Sequence, residues 1–200
     1  YMYTSTDGGL NWTEQVASDM RAWSGVAISD DGTFIVGSVD WGGYIYTSSD
    51  GGVTWTEQVG SDARGWRDVA VSSDGLTVVA VDYNNGSGGY VYTSSDGGVT
   101  WMEQTASGQR NWSGVSMSSD ATKIVAFEYG SSIHSSVDGG VTWTEQVGAG
   151  TKYWAGVGLS DDGVRVIAVE NGSGSGGYIN ASVDGGVTWT EQVGSGAPFA

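Results

Sequence analysis

The sequence predicts an all-β protein assembled from repeated four-stranded units, and three observations carry that prediction. First, one octet recurs. SSDGGVTW stands at 48–55 and again at 94–101, with variants STDGGLNW at 5–12 and SVDGGVTW at 136–143 and 182–189. The closing tryptophans Trp12, Trp55, Trp101, Trp143 and Trp189 lie 43, 46, 42 and 46 residues apart, a period that marks a repeat architecture. Second, short runs of Val, Ile, Tyr, Trp and Thr alternate with Asp-Gly and Gly-Gly turns, with no long apolar helical stripe between them. Third, the 200 residues hold 35 glycines, ten tryptophans and one proline, which suits many tight turns and large packed rings.

The elements follow in order within one unit. WRDVAVS (66–72) reads as a first strand, A. SDG (73–75) turns the chain into LTVVAVD (76–82), strand B. YNNGSGG (83–89) is a loop, YVYTS (90–94) strand C, SDGG (95–98) a tight turn and VTWMEQ (99–104) strand D. Each strand is rich in β-branched or aromatic residues and bounded by turn formers. TASGQRN (105–111) links to the next unit. Four short strands per 42–46 residues is the blade pattern of a β-propeller.

The octet has a physical role in that blade. Its Asp can accept backbone N–H groups across the C–D turn, as Asx turns do. Its glycines permit positive φ, and its Trp buries a ring against the blade. The octet resembles the Asp-box, or BNR repeat, of sialidases and related propellers. Asp7, Asp50, Asp96, Asp138 and Asp184 hold the Asp position, each followed by Gly-Gly, and Trp12, Trp55, Trp101, Trp143 and Trp189 close the boxes. The resemblance spans the whole chain and implies a propeller with the box on the C–D turn, away from any active site.

Counting hairpins sets the blade number. The C–D hairpin occurs five times, at 1–15, 44–58, 90–104, 132–146 and 178–192. The A–B hairpin occurs four times, starting at Trp23, Trp66, Trp112 and Trp154. The expectation is one Asp-box propeller domain over 1–200, five-bladed with one incomplete blade and repeats at 1–20, 21–63, 64–109, 110–151 and 152–200. A four-bladed ring with an extra hairpin is the alternative. An unpaired strand edge invites pairing with another chain, so self-assembly through the incomplete blade is expected as a possible partner mode.

Strands within a blade are antiparallel, so the A–B and C–D turns share one face and the B–C loops and D–A links share the other. The turn face carries the Asp-boxes and the turns around Asp31, Asp74, Asp120 and Asp162, and reads as structural. The loop face carries a repeated chemical pattern. A cation stands two residues before each A-strand Trp: Arg21 before Trp23, Arg64 before Trp66, Arg110 before Trp112 and Lys152 before Trp154. An acid ends each B strand: Asp40, Asp82, Glu128 and Glu170. Trp41, Tyr83 and Tyr129 follow three of these, with Asn171 after the fourth. Aromatic faces beside planar hydrogen-bonding groups suit sugars, so these fifteen cations, acids and rings are candidate ligand-binding residues repeated per blade. The same residues also read as packing, with each cation stacked on its Trp or paired with a strand-D acid, Glu14, Glu57, Glu103, Glu145 or Glu191.

Composition narrows the function. The net charge of −16 argues against nucleic acid and anionic membrane surfaces, and no apolar stretch is long enough to span a bilayer. Cysteine is absent, which excludes a disulfide framework. Five of the six asparagines, Asn11, Asn85, Asn111, Asn171 and Asn180, lie in N-x-S/T sequons and are candidate glycosylation positions in a secreted chain. The resemblance to sialidases implies an arginine triad, a Tyr nucleophile with its Glu, and an acidic proton donor. Here Arg21, Arg64 and Arg110 instead recur at one position of successive blades, whereas catalysis needs unlike groups converging on one bond. The only histidine, His134, takes the strand-C place of Tyr46 and Tyr92 and reads as a surface substitution. No metal-ligand cluster and no nucleotide motif is recognisable, so no cofactor or metal is expected. The reading is a non-enzymatic extracellular or cell-surface propeller for recognition or adhesion, with lectin-like binding of glycans or binding of other extracellular proteins. The runner-up is a structural repeat that assembles into a layer or filament; a fragment of a sialidase-like hydrolase is a third reading.

Overall fold

The structure, a computed structural model, describes residues 1–172 and 177–192. Among these residues eighteen strands form four antiparallel sheets of four and one of two. The first sheet pairs β1 (Met2–Thr4) with β2 (Thr13–Gln15). The second runs β3 (Trp23–Ile28), β4 (Ile35–Val39), β5 (Ile45–Ser48), β6 (Thr56–Gln58). The third runs β7 (Trp66–Val71), β8 (Val78–Asp82), β9 (Val91–Ser94), β10 (Met102–Gln104). The fourth runs β11 (Trp112–Met117), β12 (Ile124–Glu128), β13 (Ile133–Ser136), β14 (Thr144–Glu145), and the fifth β15 (Trp154–Leu159), β16 (Val166–Glu170), β17 (Ile179–Ser182), β18 (Thr190–Gln192). Neighbours in each sheet are neighbours in sequence, so each is a meander, and the fold is a five-bladed β-propeller whose first blade, among the described residues, has only its C and D strands.

The Asp-box acts as the sequence suggests. Asp50 Oδ1 accepts from Ser48 Oγ and from the Thr54 N–H, both at 2.8 Å, while Oδ2 accepts from Thr54 Oγ1 at 2.6 Å. The Trp55 indole N–H donates to the Gly52 carbonyl at 2.8 Å. The Thr54 hydroxyl and N–H, with Ser48, hold the Asp50 carboxyl at about 2, and Asp7, Asp96, Asp138 and Asp184 are held there by the same kinds of donors. In the first box Asn11 replaces the Thr, and its amide donates to Asp7 at 2.6 Å. The strand-D segments are shorter than the sequence reading because this turn runs through the Trp: β10 starts at Met102, not Val99.

Blades stack through their inner strands. β3, β7, β11 and β15 neighbour one another in that order, and each later one also packs on strand B of the blade before it. Val69 of β7 joins Val36 of β4 in one apolar cluster; Val115 of β11 joins Val79 and Val81 of β8 in the next. Each A strand is also bulged. The register slips between its Trp and the residue two further on, leaving Ser24, Arg67, Ser113 and Ala155 opposite no partner. A bulge re-aims the extra side chain, and here it does so at the loop face.

Candidate functional site

The repeated loop-face pattern folds into braces within each blade. Trp66, Trp112 and Trp154 are 0 % exposed, and Trp23 is half-buried. The Trp66 and Trp112 rings offer no face to a ligand, which corrects their reading as binding residues; Trp154, equally buried, forms part of the wall of a cleft. Three of the four cations lie over rings of their blades instead. The Arg21 guanidinium lies 4.1 Å from the Tyr46 ring centre, and that of Arg64 lies 4.5 Å from Tyr92 and 6.0 Å from Trp66. Arg110 donates to Glu128 at 3.1 Å, Arg64 lies 3.9 Å from Asp82, and Lys152 pairs with Glu170. The strand-D acids mostly take a different partner: Tyr3 donates to Glu14 at 2.5 Å, Tyr92 to Glu103 at 2.6 Å, and Tyr46 to Glu57. Lys152 alone among the four cations reaches one of them, Glu191, at 3.3 Å.

Three further corrections follow from register and burial. Trp66, Trp112 and Trp154 face Asp82, Glu128 and Glu170, but Trp23 faces Val39, so Asp40 lies one residue beyond the shared acid position. His134 is not a surface substitution. It is 3 % exposed, sits edge-on to Trp112 with centroids 5.2 Å apart, and hydrogen-bonds Glu128 at 3.1 Å. Asn180 is buried in β17, where its amide donates to Glu170 at 2.7 Å and its oxygen accepts from Lys152 at 3.2 Å, leaving no room for a glycan. Asn11, Asn111 and Asn171 are exposed, and Asn85 lies in the short 3-10 turn Asn84–Gly86.

The loop face holds a cleft of about 460 Å³, lined by Arg67, Tyr83, Ser113, Phe127, Tyr129, Trp154 and Ala155. Arg67 is its charged group. The bulge aims it, the Tyr83 ring lies 5.0 Å from its guanidinium, and Asp40 of the preceding blade accepts from its Nη1 at 2.7 Å. Asp40 thus has a role different from that of Asp82. Tyr129 lies 5.6 Å from Tyr153, and both rings are exposed. Trp41, next to Asp40, is 80 % exposed. Sequence reasoning singled out Trp41, Tyr83 and Tyr129 and missed Arg67 and Tyr153. The signal for Arg67 was present: WRDVA breaks the pattern of WSGVA, WSGVS and WAGVG.

The second half of that break is Asp68. Its carboxylate lies against Gly25 of the preceding blade and accepts the N–H of Val115 in the following one at 3.0 Å. Burial raises its pKa to about 6, against the pull of the Val115 and Val69 N–H groups. Asp82 is also raised by burial, in spite of Arg64. Burial pushes Glu128 up too, but the His134 hydrogen bond and the Arg110 charge outweigh it and hold Glu128 below the usual range. Among the described residues no three His, Cys, Asp or Glu side chains converge as a metal site, and no helix is long and apolar enough to cross a membrane.

The comparisons with known proteins agree with this architecture. Residues 3–14 match the BNR/Asp-box repeat. The matched segment holds the first of the five octets, STDGGLNW at 5–12. No curated protein matches the sequence. Among solved structures the chain is similar to a GH74 enzyme of Niastella koreensis, with TM-score 0.66 and 21% identity over 84% of this chain and 24% of that one. It is similar to a chain of a nidogen/laminin complex, with TM-score 0.67 and 12% identity over 82% and 61% of the two chains. It is also similar to YCF48 bound to D1 peptide, with TM-score 0.57 and 19% identity over 94% and 74%. At these identities the likeness is one of fold, and the chain spans about a quarter of the GH74 enzyme's length.

Proposed function

We propose that this Asp-box propeller is a non-enzymatic extracellular module for recognition or adhesion, and that it binds carbohydrate in the loop-face cleft around Arg67, not at one site per blade. The observation that carries this reading is the exposed ring of Tyr129, which lines the cleft with Tyr153 packed beside it, together with a guanidinium in the same cleft already oriented by Asp40 and Tyr83. Exposed rings stack on the C–H faces of sugars, and an Arg–Asp pair offers donors and an acceptor to hydroxyls. Glycoside hydrolysis needs two carboxyl groups flanking a bond. The residues lining this cleft include no carboxyl group, and Asp40 reaches it only through its pair with Arg67. The exposed sequons at Asn11, Asn111 and Asn171 support a secreted chain.

The test is titration of the intact chain with a panel of neutral and acidic oligosaccharides, followed by the Tyr129→Ala/Tyr153→Ala variant. Both rings are exposed, so the variant keeps the wild-type far-UV spectrum and melting temperature. Saturable binding that weakens at least about tenfold in the variant is expected, since stacking of one ring is worth on the order of 1 kcal/mol or more. Binding to no oligosaccharide, or binding indifferent to the two tyrosines, sinks the reading. A second reading, structural assembly, is favoured by the apolar surface left at both ends of the blade stack, where Val26, Ile28, Ile167 and Ile179 are exposed.

A further inference from the structure

A second cleft, about 500 Å³, lies between the β1–β2 hairpin and β3. Its lining is almost wholly apolar and includes Met2, Tyr3, Trp12, Val26 and Ile28. Three of these side chains, Trp12, Tyr3 and Val26, lack cover that their counterparts have. In the complete blades the Asp-box Trp lies against an A-strand Trp, with centroids 5.7 to 6.4 Å apart: Trp55 on Trp23, Trp101 on Trp66, Trp143 on Trp112 and Trp189 on Trp154. Among the described residues the first blade has no A strand, and Trp12 is 63 % exposed. Tyr46 and Tyr92 stack edge-on against that same A-strand Trp and are 5 % and 4 % exposed; their counterpart Tyr3 is 53 % exposed. Val69 is 3 % exposed beneath the blade before it, whereas its counterpart Val26 is 58 % exposed. The edge of β1 away from β2 pairs with no strand among the described residues, while β5, β9, β13 and β17 each pair there with a B strand.

We propose that this cleft is the docking site of a two-stranded hairpin of the chain's own A–B type, presented by a repeat unit outside these 200 residues. Its B strand adds to the free edge of β1, and the Trp opening its A strand fills the gap between Tyr3 and Trp12 while its apolar side chains cover Val26 and Ile28. Main-chain pairing supplies affinity in such strand addition, and pockets for alternate side chains supply selectivity. The three internal blade junctions show the chemistry required: a Trp, a Val three residues on, and Val, Met or Leu two residues after that, facing an apolar strand pair.

The experiment uses the intact chain and a synthetic peptide of residues 65–83, which carries the β7–β8 hairpin. The expected result is saturable 1:1 binding with a change in tryptophan fluorescence and a raised melting temperature. Binding falls at least tenfold when the peptide carries Trp66→Ala, and equally when the chain carries Val26→Asp. Val26 is exposed in the chain alone, so that variant stays folded. If the peptide binds no better than its Trp66→Ala form, the proposal fails. It also fails if the chain alone is a dimer that Val26→Asp dissociates, since a second copy would then be the occupant.

Discussion

Asp68 and the Asp-box aspartates are carboxylates with opposite environments, and the difference sets how stability responds to pH. Asp68 titrates near 6 in the folded chain against an ordinary 3.8, so between these values the folded state binds the extra proton. Stability therefore falls as pH rises from about 4 to about 6, by about 3 kcal/mol in all at the scale of two pKa units. The five box aspartates are lowered to about 2, so their contribution is present above about 4 and is lost as pH falls towards 2. The two trends predict maximal stability near pH 4–5. Melting temperatures across pH 3–8 check this. Asp68→Asn keeps an acceptor for the Val115 N–H and should flatten the limb from pH 4 to 7, leaving the acid limb intact. A variant that keeps the wild-type slope above pH 4 would show that Asp68 is not its source.

At the level of the element, the A strand does most to hold each blade, and its Trp is the test. Trp112 is fully buried between Trp143 and His134, so Trp112→Ala removes a large ring from a packed cluster and should cost about 3–5 kcal/mol in denaturant unfolding. Trp12→Ala should cost less than about 1 kcal/mol, because its ring lacks the A-strand partner. Equal losses would mean that Trp12 is covered in solution. This asymmetry also shows what the sequence made legible. The strands, their order and the incomplete blade followed from period and turn chemistry, because Asp-Gly-Gly and alternating β-branched residues leave few other local structures. Burial was less legible. The loop-face tryptophans recur because each blade must fill the same gap, and a repeated functional residue looks no different on paper. His134 shows the same limit: it replaces a Tyr that bridges a Trp and a strand-D acid, inherits its burial against the Trp, and takes the strand-B acid Glu128 as its partner. Asp40 misled because Trp23 pairs with Val39, a one-residue shift that no local motif announces. Arg67 was detectable only as a departure from the repeat, and departures are where function separates from the scaffold.

In the whole molecule the blades form a nearly one-dimensional stack, and its ends differ from its middle. A blade inside such a stack is buried on both faces, while a terminal blade is held from one side only. β8 and β12 are fully covered, but Ile167 and Val169 of β16 and Ile179 of β17 are exposed, as is the β1–β2 hairpin at the other end. Local opening free energy follows the buried contacts that must be broken, so amide exchange should grade along the chain. Protection is expected to be highest in β8 and β12, lower in β16 and β17, and lowest in β1. Hydrogen exchange read by mass spectrometry resolves these segments. Adding the 65–83 peptide should then slow exchange in β1 and β3 while leaving β12 unchanged, because that junction is already complete. If β16 is as protected as β12 without any peptide, the outer face of the last blade is covered in solution and the two ends meet. The exposed valines and isoleucines would then mark a ring seam and not two independent docking faces.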